Sequence, residues 1–169
     1  MSQIALTFPD GSVRHYDKGV TVDQVAASIG SSLAKATLAG KFQGQLVDHD
    51  RPLEADGAIE IITDKSPEAL EIMRHSTAHL MAHALTRLYP GIHFGVGPAI
   101  ESGFYYDTDK EVQLTEDDLP AVEKEMKKII SQNYPIVRRE VSRAEALELF
   151  KHDPYKVELI TDLPADEVI

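Results

Sequence analysis

The sequence predicts an α+β fold in two successive units. Three observations carry this: an alternating hairpin pattern at the start, a capped helix followed by short strands, and one long helix that opens the second unit. In IALTF (Ile4 to Phe8) apolar residues alternate, PDGS (Pro9 to Ser12) supplies turn chemistry, and VRHY (Val13 to Tyr16) follows, which is a hairpin signature. Thr21 opens a helix, with Gln24 three residues on as its capping-box partner and Gly30 as its stop. Val22, Val25, Ala26 and Ile29 form the apolar face of that helix. Short strands around Ala36 to Ala39, Gln45 to Val47 and Ala58 to Ile62 complete the unit. Such a series predicts a β-grasp, the ubiquitin-like architecture, over residues 1–63.

A boundary falls at TDKSP, and residues 64–169 make the second unit. Ser66 suits a helix cap and Pro67 the first helical position. The helix runs to about Tyr89 and stops at Pro90-Gly91. IHFGVGPAIESGFYYD then gives two strand-like runs broken by Gly97-Pro98 and Gly103. Thr115 opens a charged amphipathic helix to about Gln132, with Pro120 acceptable only in its first turns. PIVRREV (Pro135 to Val141) reads as a strand, and Ser142 with Glu145 caps a helix to about Phe150. The tail holds a short helical or extended piece at PYKVELI, a turn, and Val168-Ile169, which reads as a strand just beginning. The second unit is therefore expected to be an incomplete α+β domain.

Hydrophobic residues make up 43% and charged residues 27%, which suits a globular chain rather than a disordered one. No apolar run approaches the roughly 18 residues needed to cross a membrane. MSQIALTFPDGS lacks the basic start and apolar stretch of a signal peptide. There is no cysteine, which excludes disulfides, thiol nucleophiles and thiolate metal sites within these residues. These features predict a cytoplasmic protein with no membrane partner. The net charge of -11 argues against autonomous nucleic-acid binding, and the basic spots Lys127-Lys128 and Arg138-Arg139 have acidic neighbours.

RHSTAHLMAHAL (Arg74 to Leu85) places His75, His79 and His83 four residues apart. At about 100° per residue, Leu70, Met73, Thr77, Leu80, Met81, Ala84, Leu85 and Leu88 gather into a core stripe. The histidines step about 40° each and form a row roughly opposite, beside Ile72, Ser76, Ala82 and Thr86. No charged residue lies near the centre of that face, as expected of a cleft wall. Spacing leaves three readings open: packing or surface histidines, a metal site, and proton handling or water positioning by neutral imidazoles. The metalloprotease pattern places Glu directly after the first His, where this chain has Ser76, and no metal ligand is assigned.

In order and spacing, these segments resemble the N-terminal region of bacterial threonyl-tRNA synthetases from end to end. LTFPDGSVRHYDKGVTVDQVAASIG and LVDHDRPLEADGAIEIIT resemble the family's first domain, the β-grasp unit called TGS. RHSTAHLMAHAL is similar to the HxxxH helix of its editing domain, and GVGPAIESGFYYD and YKVELI to other parts of that domain. The resemblance implies a second, hydrolytic site beside aminoacylation. Serine lacks one methyl of threonine, and such a difference is worth only about 1–3 kcal/mol in binding, so mischarged seryl-tRNA(Thr) must be cleaved afterwards.

On that resemblance the HxxxH pair is His75 and His79, the lysine of the YKV segment is Lys156, and Tyr106 with Gly97 lines the serine pocket. His75 is expected to orient or deprotonate a ribose hydroxyl or the water, supported by His79, with Lys156 holding a water or the developing oxyanion. His83 falls outside the pair and is read as a neighbour. The family charges tRNA(Thr) with threonine using ATP, magnesium and zinc in an aminoacylation core that these residues do not include. None of these is expected to bind here, and no charging activity is expected of this region. The implied partner is the tRNA(Thr) acceptor end, with homodimerisation through other domains and this region monomeric by itself. One departure is that the family's editing site also uses a Cys-x-x-x-His element, and this chain has no cysteine. Editing by these residues alone is therefore expected to be incomplete. Two other readings stand beside this one: a non-catalytic β-grasp module for interaction or RNA binding, and a small metal-dependent hydrolase.

Overall fold

The structure is a computed structural model that describes residues 2–109, 113–164 and 167–169. It separates into two units, Met1–Met73 and Arg74–Ile169.

Alternation builds the first unit. In β1 (Gln3–Thr7) Ile4 and Leu6 are buried while Gln3 and Thr7 face out. β2 (Val13–Asp17) returns antiparallel, with Ile4 opposite Tyr16 and Leu6 opposite Arg14. The turn between them is closed by Asp10, whose carboxylate accepts from the backbone N–H and hydroxyl of Ser12. A two-residue β3 (Val20–Thr21) leads into α1 (Val22–Ile29). The predicted capping box is present: Thr21 Oγ1 accepts from Gln24 N–H, and Gln24 Oε1 accepts from Thr21 N–H. After β4 (Thr37–Phe42), β5 (Gln45–Val47) and β6 (Pro52–Leu53), β7 (Gly57–Thr63) inserts between β1 and β4. The main sheet has the order β2-β1-β7-β4-β5, parallel at β1–β7 and antiparallel elsewhere, which is the β-grasp arrangement.

Helix α1 lies against this sheet through Val22 and Val25, packed with Ile4, Leu6, Leu53 and Ile59. The approach is close enough to require glycine beneath it. A Cβ on Gly40 of β4 would stand 2.6 Å from a Val22 methyl. Two expectations change here. Ile29 is exposed rather than part of the buried face. Gly30 does stop α1, yet it also starts a second helix, α2 (Ser31–Ala36), so the following strand begins at Thr37.

Ser66 does not cap the long helix. Its hydroxyl accepts from Thr63 N–H in a turn, and α3 (Ala69–Leu88) starts after it. Glu68, just before α3, forms an ion pair with Lys41 of β4.

In the second unit, Ala84 and Leu85 of α3 pack with Ile92 and with Val122 and Ile129 of α4 (Leu119–Gln132). Thr115 and Asp118 form a capping box around a single 3-10 turn, and Pro120 sits in the first turn of α4, where its missing N–H costs nothing. Asn133 ends α4 in the left-handed conformation. The predicted stripe of α3 is buried only in part, since Leu70, Met73 and Leu88 are exposed. Residues 93–109 form an irregular antiparallel ribbon, with β8 (Ala99–Ile100) paired to β9 (Gly103–Phe104) and a bridge between Phe94 and Thr108.

Pro135 to Val141 is not a strand. Ile136 is 90% and Val137 72% exposed, and strand propensity is expressed only beside a pairing neighbour. Val141 N–H donates to the Ile169 carbonyl, but Val168-Ile169 is likewise no strand. The turn predicted before Val168 falls partly on residues 165 and 166, outside the described residues. Ser142 caps α5 (Arg143–Leu149) by accepting from Glu145 N–H. PYKVELI is helical, within α6 (Pro154–Asp162). Arg143 then joins these two helices by donating to the carbonyls of Ile160, Leu163 and Pro164.

Candidate active site

Four residues apart on α3, His75 and His79 project from neighbouring turns, and their Nε2 atoms meet at 3.0 Å. The rings cross at 65° with centroids 4.6 Å apart. One Nε2 must carry the hydrogen and the other the lone pair, so the contact requires at least one neutral imidazole. His79 is the ring held neutral. Partial burial lowers its pKa from 6.5, and the charges of His75 and Lys156 lower it further. At pH 7 this lowering favours the neutral imidazole of His79, with one ring nitrogen a donor and the other an acceptor.

Lys156 lies in α6, and its charge acts on His79 through space. Asp153 fixes the start of that helix by accepting from the Lys156 backbone N–H at 3.1 Å, with Pro154 at the first turn. The lysine is half-buried, and its charge is one of those that lower the His79 pKa.

Tyr106 closes another side. Its ring stands edge-on to His79 with centroids 6.4 Å apart, and edge-on to Phe94 at 5.2 Å. Gly97 lies directly against it: a Cβ there would come within 2.7 Å of three Tyr106 ring carbons. Arg74 ties α3 to this ribbon by donating to the Ile100 carbonyl at 3.0 Å. His83 turns elsewhere, toward Tyr134 at 6.4 Å between centroids.

The sequence-predicted residues thus occupy three elements: His75 and His79 on α3, Tyr106 and Gly97 on the ribbon, and Lys156 on α6. Sequence reasoning did not find the groups that support them. Phe94 backs Tyr106, and His93 pairs with Asp109 through Nδ1 and Oδ2 at 2.8 Å. Asp153-Pro154 carries a legible cap signal, whereas a contact between residues 93 and 109 follows from no helical or strand period. Among the described residues, no three His, Asp or Glu side chains converge as a metal-ligating cluster. Nor is any helix among them long and apolar enough to cross a membrane.

Residues 4–63 match the TGS domain model. The chain is 64% identical over 167 residues, 98% of its length, to a threonine–tRNA ligase of Enterococcus faecalis. It is 56% identical to the threonine–tRNA ligases of Staphylococcus carnosus, over all of its length, and Streptococcus sanguinis, over 97% of it. Over nearly its whole length the chain is similar to threonine–tRNA ligases. It spans about a quarter (26%) of the length of these threonine–tRNA ligases. Its first unit carries the TGS match, and α3 with His75 and His79 follows in sequence.

Proposed function

We propose that this chain is the N-terminal part of a threonine–tRNA ligase, with residues 1–63 the TGS domain and residues 64–169 a portion of the editing domain. The whole enzyme attaches threonine to tRNA(Thr) with ATP; magnesium and zinc serve that reaction in an aminoacylation core outside these residues. This portion contributes to hydrolysis of mischarged seryl-tRNA(Thr), in the cytoplasm, with the tRNA acceptor end as partner and dimerisation through other parts of the enzyme.

The observation that carries this reading is the His75–His79 imidazole contact, kept at least half neutral beside the Lys156 charge. A neutral imidazole takes a proton from an attacking water, or orients it through the neighbouring ribose hydroxyl. Water adds to the ester carbonyl, the resulting oxyanion faces the Lys156 ammonium, and the ester C–O bond to the ribose breaks as the ribose oxygen takes up a proton. Tyr106, seated on Gly97, bounds the space for a side chain as small as serine.

The test is deacylation of seryl-tRNA(Thr) by the intact enzyme with His75→Ala, His79→Ala and Lys156→Ala. Losses of about 10²–10⁴-fold are expected for the histidines. Unchanged rates in all three would remove these residues from the chemistry.

A further inference from the structure

The Tyr134 ring lies beside α3 at His83, the histidine that follows His79 in the row. It comes directly after Asn133, whose left-handed conformation ends α4, so the place of the ring is set by that cap. Two side chains of α3, four residues apart on neighbouring turns, carry it. The His83 ring is 6.4 Å away between centroids and tilted by 33°, and Arg87 Cζ stands 5.8 Å from the centre of the Tyr134 ring. Arg87 is itself held from α4, donating to Gln132 Oε1 at 2.9 Å and to Glu125 Oε1 at 3.2 Å. Because His83 and Arg87 belong to one helix, both meet Tyr134 from the α3 side, and the residue is still 56% exposed. An aromatic ring fixed on one side and open on the other is a stacking surface already ordered for a ligand.

We propose that Tyr134, carried by His83 and Arg87, is a stacking platform for a nucleobase in the single-stranded 3′ end of tRNA(Thr). This rests on the editing reading given above and deepens it, giving that strand end a place on the surface. His83 is about 6 Å along the α3 axis from His79. With the ester at His75 and His79, that step is comparable with the span from the reacting ribose to a base of the same strand end. Unpaired RNA bases are taken by aromatic rings and by guanidinium planes, and here the two are already stacked together. The charge pattern selects stacking over phosphate binding. Glu125 is paired with Arg87, and a chain of net charge -11 offers phosphates no general attraction. A base presents a neutral π face, which needs no excess positive charge.

Two measurements test this. In the 169-residue chain, NMR titration with the trinucleotide CCA should shift the Tyr134 and His83 ring signals together. Tyr134→Phe should keep the His83 shift and Tyr134→Leu should abolish it, because leucine fills space without a π face. Tyr134 and His83 signals that ignore CCA, or a His83 shift that survives Tyr134→Leu, would overturn the inference. In the intact enzyme, Tyr134→Leu should lower kcat/KM for seryl-tRNA(Thr) deacylation about 5- to 150-fold, the scale of one lost base stack. The loss should appear in KM, since the base is bound alike before and during the reaction. It should be equal at low and high salt, because no phosphate contact is removed. Tyr134→Phe should retain the rate of the unsubstituted enzyme. An unchanged kcat/KM in Tyr134→Leu, an equal loss in Tyr134→Phe, or a loss confined to kcat or to low salt would each overturn the inference. If the unsubstituted enzyme does not deacylate seryl-tRNA(Thr), the editing reading fails, and the CCA titration still decides whether Tyr134 takes a base.

Discussion

The Nε2 atoms of His75 and His79 lie 3.0 Å apart, so the two rings share one hydrogen and cannot both be cationic while that contact holds. Protonation of the pair is thereby linked to its geometry. Because the His79 pKa is lowered from 6.5, neutral His79 persists to lower pH than an ordinary imidazole and is lost as pH falls through the depressed value. Deacylation should accordingly have an acid limb whose midpoint lies below 6.5. Lys156→Gln removes one of the charges that depress His79 and should move the acid limb to higher pH, in addition to slowing the reaction. A pH–rate profile of the two enzymes checks this; coincident acid limbs would remove the coupling.

Gly97 has no room for a side chain beneath Tyr106. Gly97→Ala would place a methyl 2.7 Å from the ring carbons and must displace the ring, at a cost of about 1–3 kcal/mol. Urea unfolding should show that loss, and deacylation should fall as well. In the double variant with Tyr106→Ala the alanine at 97 should cost much less, because the two residues share one contact.

The first unit rests on Leu6, which is fully buried between β2 and β7. Leu6→Ala should destabilise it by about 2–5 kcal/mol. Thr21→Ala removes one arm of the α1 capping box and should cost about 1 kcal/mol. Denaturant midpoints of the two variants give the ordering directly, and a larger loss at Thr21 than at Leu6 would contradict the packing described.

The Lys41–Glu68 ion pair gives the first unit a defined pH window. Its hydrogen bond to Lys41 lowers the Glu68 pKa from 4.5, so this contribution is present above that value and is lost as pH falls through the depressed one. Lys41 is raised from 10.5 by the same bond, so its contribution is complete below 10.5 and is lost as pH rises through the raised value. The stability difference between the unsubstituted chain and Glu68→Gln should therefore be level between those two ordinary values and shrink at both extremes. Thermal melts across pH measure it, and a difference independent of pH would show that the pair does not contribute through charge.

What could be read from the sequence was local. Ile4 and Leu6 alternate, Thr21 and Gln24 bracket a helix start, and Pro90-Gly91 ends one, because these signals act over a few residues. The four-residue spacing of His75 and His79 places their rings on adjacent turns of any helix that contains them. Where partners lie far apart along the chain, local signals failed. Pro135 to Val141 has strand-forming residues but pairs with no strand among the described residues, so it stays irregular, with Ile136 and Val137 exposed. Leu70 and Met73 fit the stripe of α3 yet remain exposed, because periodicity gives a face and not what covers it.

The sequence by itself determined the β-grasp elements, the histidine pair and, through its likeness to threonyl-tRNA synthetases, the residues to examine. Only tertiary structure decided that the His79 pKa is lowered, because its desolvation and the field of Lys156 come from residues remote in the chain. It also decided that Gly97 supports Tyr106 and that His93 pairs with Asp109. Those relationships depend on distances between residues remote in the chain, which no periodicity encodes.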